Sequence, residues 1–199
     1  MWSVTMDTRT RIQEVALELF TEHGYEKTSL REVAERLGVT KAALYYHFKS
    51  KEEIVNSFVE DRILVMDELI RWAESQPPGV ELRRAVLTRY ADDLFGRNRF
   101  AVMRFFEQNQ TVLKNLSAGL QMRDRMLRVA RLLAGPDQSA ENEVRAALAI
   151  FAVHSSFFTM RPEITAQDRH DVALKVAFEL LDRIAEVEAE GEKVDAGHR

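Results

Sequence analysis

Residues 28–51, TSLREVAERLGVTKAALYYHFKSK, have the pattern of two short helices joined by a tight turn. Ser29 and Glu32 have the spacing of a capping box, in which each side chain binds a backbone N–H at the start of a helix. Gly38 follows the last apolar residue of that helix, where a residue that tolerates positive φ commonly ends a helix. Thr40 is placed to cap the next helix. The pattern therefore predicts a second and a third helix that are both well bounded.

Helical patterns continue through most of the 199 residues, which include only four prolines and eight glycines. In the first helix, apolar residues recur at the i, i+3, i+4, i+7 and i+8 positions, beginning at Ile12. Ser50 and Glu53 form another capping-box pattern and predict a fourth helix that ends near residue 72. Further helices are predicted at about 80–96, 99–109, 116–133, 140–160 and 166–188.

These elements predict an all-α fold with about nine helices. A three-helix N-terminal domain with a helix-turn-helix, residues 8–52, is joined to a C-terminal helical bundle, residues 53–188. The Pro77-Pro78-Gly79 break separates the fourth helix from those that follow. The last segment, residues 189–199, has little to bury and is expected to be frayed.

The charge is distributed unevenly along the chain. The formal net charge is −4, but residues 27–51 contain six basic and two acidic side chains. Local basic surface, rather than net charge, sets the attraction to phosphate groups. A fluctuation of this size is common in a window of this length, so it carries little weight alone.

Composition excludes several kinds of site. The chain has no cysteine, which excludes disulfides, thiolate nucleophiles and cysteine-based metal centres. Its five histidines lack metal-ligand spacing, and no HExxH, GxSxG, P-loop or GxGxxG motif occurs. We therefore expect neither catalysis nor a cofactor. The longest apolar run, residues 146–153, is far shorter than the roughly 20 residues of a membrane span, and the N-terminal segment lacks a secretory h-region. A cytoplasmic protein without membrane association is expected.

The third helix has a face suited to double-stranded DNA. A three-residue turn between two short helices is typical of a helix-turn-helix. If Leu44 and Phe48 face inward, the opposite face is polar and aromatic, and small residues at 42 and 43 allow the helix to approach base edges. The free N–H groups of the first turn favour a phosphate. The predicted DNA contacts are Arg31, Thr40, Lys41, Ala42, Ala43, Tyr45, Tyr46, His47 and Lys51.

Two alternatives remain open for this surface. Tyr45 and Tyr46 could pack the domain against the rest of the chain, with His47 a solvated or capping side chain. A helix-turn-helix can also bind protein rather than DNA.

Residues 10–57 resemble the N-terminal domain of the TetR family of transcriptional regulators. The resemblance rests on Gly24-Tyr25, Thr28-Ser29, Val33-Ala34, Gly38-Val39, the run from Leu44 to Phe48, and Lys51-Glu52. It implies DNA-contacting positions at Thr40, Lys41, Tyr45, His47 and Lys51, and at Arg31 a position that reads a base in some members. Ala43 departs from the serine or threonine of many relatives, which removes one hydroxyl contact.

The resemblance further implies a repressor that binds operator DNA as a dimer and is released by a small-molecule ligand. Helices 140–160 and 166–188 are the expected homodimer interface, although an ordinary core would show the same apolar pattern. The ligand is expected to be mainly apolar and to lie inside the C-terminal bundle. Met and aromatic residues can line such a cavity, although at helical spacing they are more often plain core. The candidates are Met66, Tyr90, Met103, Phe106, Met122, Met126, Phe151, His154 and Phe158.

Overall fold

The computed structural model describes residues 7–96, 101–102, 105, 109, 117–137, 139–161 and 163–196, of which 117–118 and 188–196 are described by their backbone alone. Within these ranges eight helices have defined bounds. They are α1 (Thr8–Glu22), α2 (Leu30–Leu37), α3 (Lys41–His47), α4 (Lys51–Glu74), α5 (Val80–Leu94), α6 (Ser117–Ala134), α7 (Ala140–Thr159) and α8 (Ala166–Ala196). The all-α fold class is confirmed. Most of the helix predicted at 99–109 lies outside the described residues, although Ala101, Val102 and Phe105 are helical.

The chain divides into two compact units. The first comprises residues 1–63 and 97–122, and the second comprises residues 64–96 and 123–199. The division falls inside α4, later than the boundary expected at residue 52. The reason is that Ile54, Val55 and Phe58 belong to the core of the first unit. The first half of α4 is therefore part of that unit's packing.

Aromatic rings form the centre of the first unit. Phe105 is buried, and its ring centre lies 5.6 Å from that of Phe20, 6.0 Å from that of Tyr25 and 6.4 Å from that of Phe58. Apolar side chains from the first four helices complete this core. The buried members include Ile12, Ala16, Leu19, Val33, Ala34, Leu44, Phe48, Ile54 and Val55.

The second unit buries one face of each of its helices. Arg84 of α5 forms a bidentate ion pair with Asp182 of α8, with distances of 2.7 and 2.6 Å from Nη2 to the two carboxylate oxygens.

The backbone of α8 stays helical to Ala196, eight residues beyond the end expected at 188. The backbone of residues 189–196 is thus helical, and two alanines, two glutamates and one lysine among them favour a helix. The fraying of residues 189–199 stays a prediction. In the part of the chain that the structure describes, no helix has both the length and the apolar character needed to cross a bilayer.

Candidate nucleic-acid interface

The start of α2 is held by the predicted capping box. The Glu32 N–H donates to the Ser29 hydroxyl, and the Ser29 N–H donates to the Glu32 carboxylate, each at 3.2 Å. His23 Nδ1 lies 3.1 Å from the same carboxylate. The hydrogen bond from Ser29, followed by that with His23, lowers the pKa of Glu32. Glu32 therefore stays ionised and fixes the direction in which α2 leaves the preceding loop.

Gly38 makes the turn between α2 and α3 possible. Its φ of 74° lies in the left-handed region, where a Cβ atom is unfavourable. The Val39 N–H donates back to the Ala34 carbonyl oxygen at 3.0 Å, which closes the end of α2. Thr40 then begins α3, because its hydroxyl accepts a hydrogen bond from the Ala43 N–H at 3.1 Å. Both caps were predicted from the sequence, and both are confirmed.

Helix α3 has one buried face and one exposed face. Leu44 has no exposed surface and Phe48 is 2% exposed, so these two side chains fix the rotation of the helix. Tyr46, by contrast, is 80% exposed, and its ring meets that of His47 edge to face at 5.3 Å. A tyrosine this exposed gains little from packing, which weakens the alternative that Tyr46 belongs to the core.

The remaining predicted residues of α3 lie around Tyr46. Thr40, Lys41, Ala42 and Ala43 are exposed at the start of the helix. Tyr45 is only partly exposed and packs against the core, so the structural alternative applies to part of its side chain. The Lys41 ammonium group lies 5.4 Å from the centre of the Tyr45 ring. The first turn of α3 thus presents a positive charge, a hydroxyl and two small side chains together.

Two predicted residues lie outside α3 and have partners within the protein. The exposed Arg31 pairs with Glu35 one helical turn later, at 2.7 Å, so a phosphate or base must compete with that carboxylate. Lys51 Nζ donates to the carbonyl oxygens of Tyr25 and Glu26, at 2.6 and 3.2 Å. Lys51 therefore holds the α1–α2 connection as well as presenting a charge.

Sequence reasoning missed two side chains that support α3 and α4. Lys49 Nζ donates to the carbonyl oxygen of Tyr45, at the C-terminal end of α3 where a cation is favoured. Gln13 is buried and its amide donates to the Ser57 hydroxyl and to the Asp61 carboxylate, both at 2.8 Å, which ties α1 to α4. A polar residue beside the apolar stripe of α1 was the available signal for Gln13.

The expected ligand-binding residues are only partly brought together. The Tyr90 hydroxyl lies 2.5 Å from His154 Nε2 and 3.4 Å from Met126 Sδ, and the Tyr90 and His154 rings are stacked. Met66 is buried in the second unit and Met122 is partly exposed in the first. Phe151 and Phe158 lie on the exposed side of α7. Met103 and Phe106 lie outside the described residues.

Some known proteins resemble only the N-terminal part of this chain, and others resemble most of its length. A family model described as bacterial regulatory proteins, tetR family, matches residues 12–58. The HTH-type transcriptional regulator TtgR of Pseudomonas putida is 37% identical over 70 residues, which are 35% of this chain and 33% of TtgR. This chain therefore matches only a third of that relative's length.

Two other proteins match most of the chain. The HTH-type transcriptional regulator TcmR of Streptomyces glaucescens is 29% identical over 181 residues, covering 86% of this chain and 80% of TcmR. The crystal structure of PfmR from Thermus thermophilus, a TetR family transcriptional regulator, superimposes with a TM-score of 0.66. That match has 26% sequence identity and covers 88% of this chain and 97% of PfmR. Together with the capped helix pair and its left-handed turn, these similarities show that residues 12–58 form an N-terminal domain of the tetR family of bacterial regulatory proteins.

Proposed function

We propose that this protein is a repressor that binds operator DNA as a homodimer and is released by a small, mainly apolar ligand. The observation that carries the proposal is the burial of Leu44 in α3 and of Phe48 directly after it, while the opposite, polar face of α3 is exposed. A helix held rigidly by its core residues can enter the major groove without losing its own packing. Repression, rather than activation, is the mode that the resemblance implies.

The first turn of α3 is suited to phosphate and base contacts. The N-terminus of a helix carries a partial positive charge and free N–H groups, and the Lys41 ammonium group adds a full charge beside it. The small side chains of Ala42 and Ala43 allow the backbone to approach base edges, where a methyl group can contact thymine. We propose that Thr40 and Lys41 bind phosphate, and that Ala42, Ala43, Tyr45, Tyr46 and His47 lie against bases or the adjoining backbone.

Two stripes of exposed apolar residues support the proposal that the protein forms a homodimer. On α7 the exposed residues recur at intervals of three, four and seven, which places them on one side of the helix. Val172 and Val176 form a second stripe on α8, one turn apart. Exposed apolar side chains aligned along a helix often mark a protein–protein interface. The α7 stripe consists of Val144, Leu148, Phe151 and Phe158, all of which are about half exposed.

A polar contact inside the second unit supports the proposal that the protein binds a ligand. The Tyr90–His154 pair, with Met126 beside it, places a hydroxyl, an imidazole and a thioether together among apolar helices. Ligand cavities are mostly apolar, with a few polar groups that orient the ligand. We propose that this cluster contacts the ligand, with His154 as the orienting polar group.

The test is binding to DNA from upstream of the protein's own gene, compared with a shuffled duplex of the same length and composition. Fluorescence anisotropy of the labelled duplex should show tighter binding to the upstream DNA. The logarithm of the binding constant should fall with the logarithm of salt concentration, with a slope of about −0.9 for each neutralised phosphate. Protected half-sites should lie roughly one helical turn, ~34 Å, or a multiple apart. Equal affinity for both duplexes would overturn the proposal.

A further inference from the structure

A cavity of about 420 Å³ lies between the end of α4, the start of α5 and the end of α6, within the second unit. It shares no residue with the Tyr90–His154 cluster. Cavities of about 300–1,000 Å³ are the size that binds small organic ligands. The lining residues are Glu74, Pro78, Gly79, Leu82, Arg83, Arg128, Arg131, Leu132, Gly135 and Pro136.

The charged residues of the lining favour an anion. Three are arginines, and the single carboxylate of the lining, that of Glu74, is paired with Arg128 at 2.8 Å. Arg83 and Arg131 also have partners within the protein. A guanidinium group has five N–H donors, so one partner does not saturate it. Arg83 is only 2% exposed, and a charge in so sheltered a position acts more strongly than one in water.

The helix ends around the cavity do not decide the sign of the ligand. The first turn of α5 contributes a partial positive charge, but the last turns of α4 and α6 each contribute a partial negative charge. The helix ends together therefore do not favour an anion. The arginine side chains therefore determine the electrostatic preference, and their planar forks match a carboxylate in a two-point contact.

Part of the lining is apolar. Leu82, Leu132, Pro78 and Pro136 supply hydrocarbon surface to the same cavity as the three arginines. We propose that this cavity is a second ligand site, which takes a small organic carboxylate with an apolar, ring-sized body. The proposal does not depend on the DNA-binding function, because the binding can be measured without DNA.

The test is isothermal titration of the full chain with 2-naphthoate and with the neutral isostere 2-naphthamide. We expect 2-naphthoate to bind with a Kd at or below about 1 mM. The amide should bind at least about tenfold more weakly, because it cannot form charge-assisted hydrogen bonds. Equal affinity for the two probes, or no binding of 2-naphthoate at concentrations of about 5 mM, would overturn the proposal.

The affinity of variants for 2-naphthoate shows whether the probe binds in this cavity. Arg131 is exposed, so Arg131→Met should fold normally and should weaken 2-naphthoate binding at least about tenfold. Arg71→Met removes an exposed arginine of the last turn of α4 that does not line the cavity, and it should change the Kd less than about twofold. Tyr90→Phe should also leave the affinity unchanged. Loss of binding in Tyr90→Phe, or an unchanged Kd in Arg131→Met, would show that the probe binds elsewhere.

Discussion

The Lys51 ammonium group lies 2.6 Å from the carbonyl oxygen of Tyr25 and 4.6 Å from the centre of the Tyr25 ring. It also donates to the carbonyl oxygen of Glu26. The resemblance places Lys51 among the DNA contacts. In the structure Lys51 also links the first turn of α4 to the connection that follows α1 by these hydrogen bonds. Its two roles can be separated by experiment, because a second lysine, Lys41, is exposed at the start of α3.

Replacing Lys51 should affect both folding and DNA binding. Lys51→Met removes charge-assisted hydrogen bonds to two carbonyl groups, so we expect the free energy of unfolding to fall by about 1 kcal/mol. Lys41→Met is the matched control, and it should reduce DNA affinity while leaving stability within about 0.5 kcal/mol of the native value. Urea unfolding and anisotropy measure the two effects. Equal stability of the two variants would contradict the claim that the hydrogen bonds of Lys51 stabilise the fold.

Substitution of Gly38 should destabilise the turn between α2 and α3. No atom lies within 4 Å of a Cβ built at this position, so the cost comes from the positive φ and not from a clash. Gly38→Ala should cost about 1 kcal/mol, and Gly38→Asn should cost less, because asparagine tolerates the left-handed region. Thermal unfolding followed by circular dichroism measures both variants. If alanine and asparagine cost the same, the backbone argument is wrong.

The exposed stripe on α7 should control the oligomeric state. Phe151→Glu puts a charge among Leu148, Phe158 and their counterparts in a second copy, where it would be buried without a partner. We expect this variant to sediment as a monomer at a concentration at which the native chain is a dimer. Leu64→Glu changes an equally exposed apolar residue outside the stripe and should leave the dimer intact. A dimeric Phe151→Glu variant would place the interface elsewhere.

His170 should make stability depend on pH. Burial lowers its pKa, but hydrogen bonds to Asp171 and Asp92, at 2.9 and 2.8 Å, outweigh this and raise the pKa above the ordinary 6.5. The protonated ring is thus favoured in the folded state. Its contribution is complete below the ordinary value and is lost as the pH rises through the raised value.

The matching variant is His170→Gln, compared with the native chain at about pH 5.5 and about pH 8.5. The native chain should have a clear stability advantage at the lower pH, and this advantage should shrink at the higher pH. Asp171→Asn should reduce the difference between the two conditions. A stability gap that does not change with pH would show that the ring is not protonated preferentially in the folded state.

Local signals in the sequence were sufficient for the helix pair. Ser29, Glu32, Gly38 and Thr40 act through bonds to neighbours within a few residues, so their spacing alone predicts the geometry that the structure confirms. The face of α3 followed in the same way, because burial of Leu44 and Phe48 determines which residues point outward.

Contacts between distant segments could not be predicted in this way. Periodicity identified Phe151 and Phe158 as apolar positions of α7, but it cannot say whether a pocket, a core or a second copy covers them. Arg83 and Gln13 are buried polar residues whose partners come from packing, which a single helix pattern does not encode. The first unit extends into α4 for the same reason, since the Phe58 ring packs against that of Phe105, which lies far away in the sequence.

The most direct test of DNA reading by α3 is the DNA affinity of Ala42→Glu. Ala42 is exposed, so the variant should keep its helical circular dichroism and its oligomeric state. The larger, negative side chain would keep the helix from base edges and phosphates, and we expect affinity for upstream DNA to fall at least about 100-fold. Ala140→Glu, a matched change at an exposed position at the start of α7, should bind as the native chain does. Native affinity in a folded Ala42→Glu variant would contradict the claim that α3 enters the DNA groove.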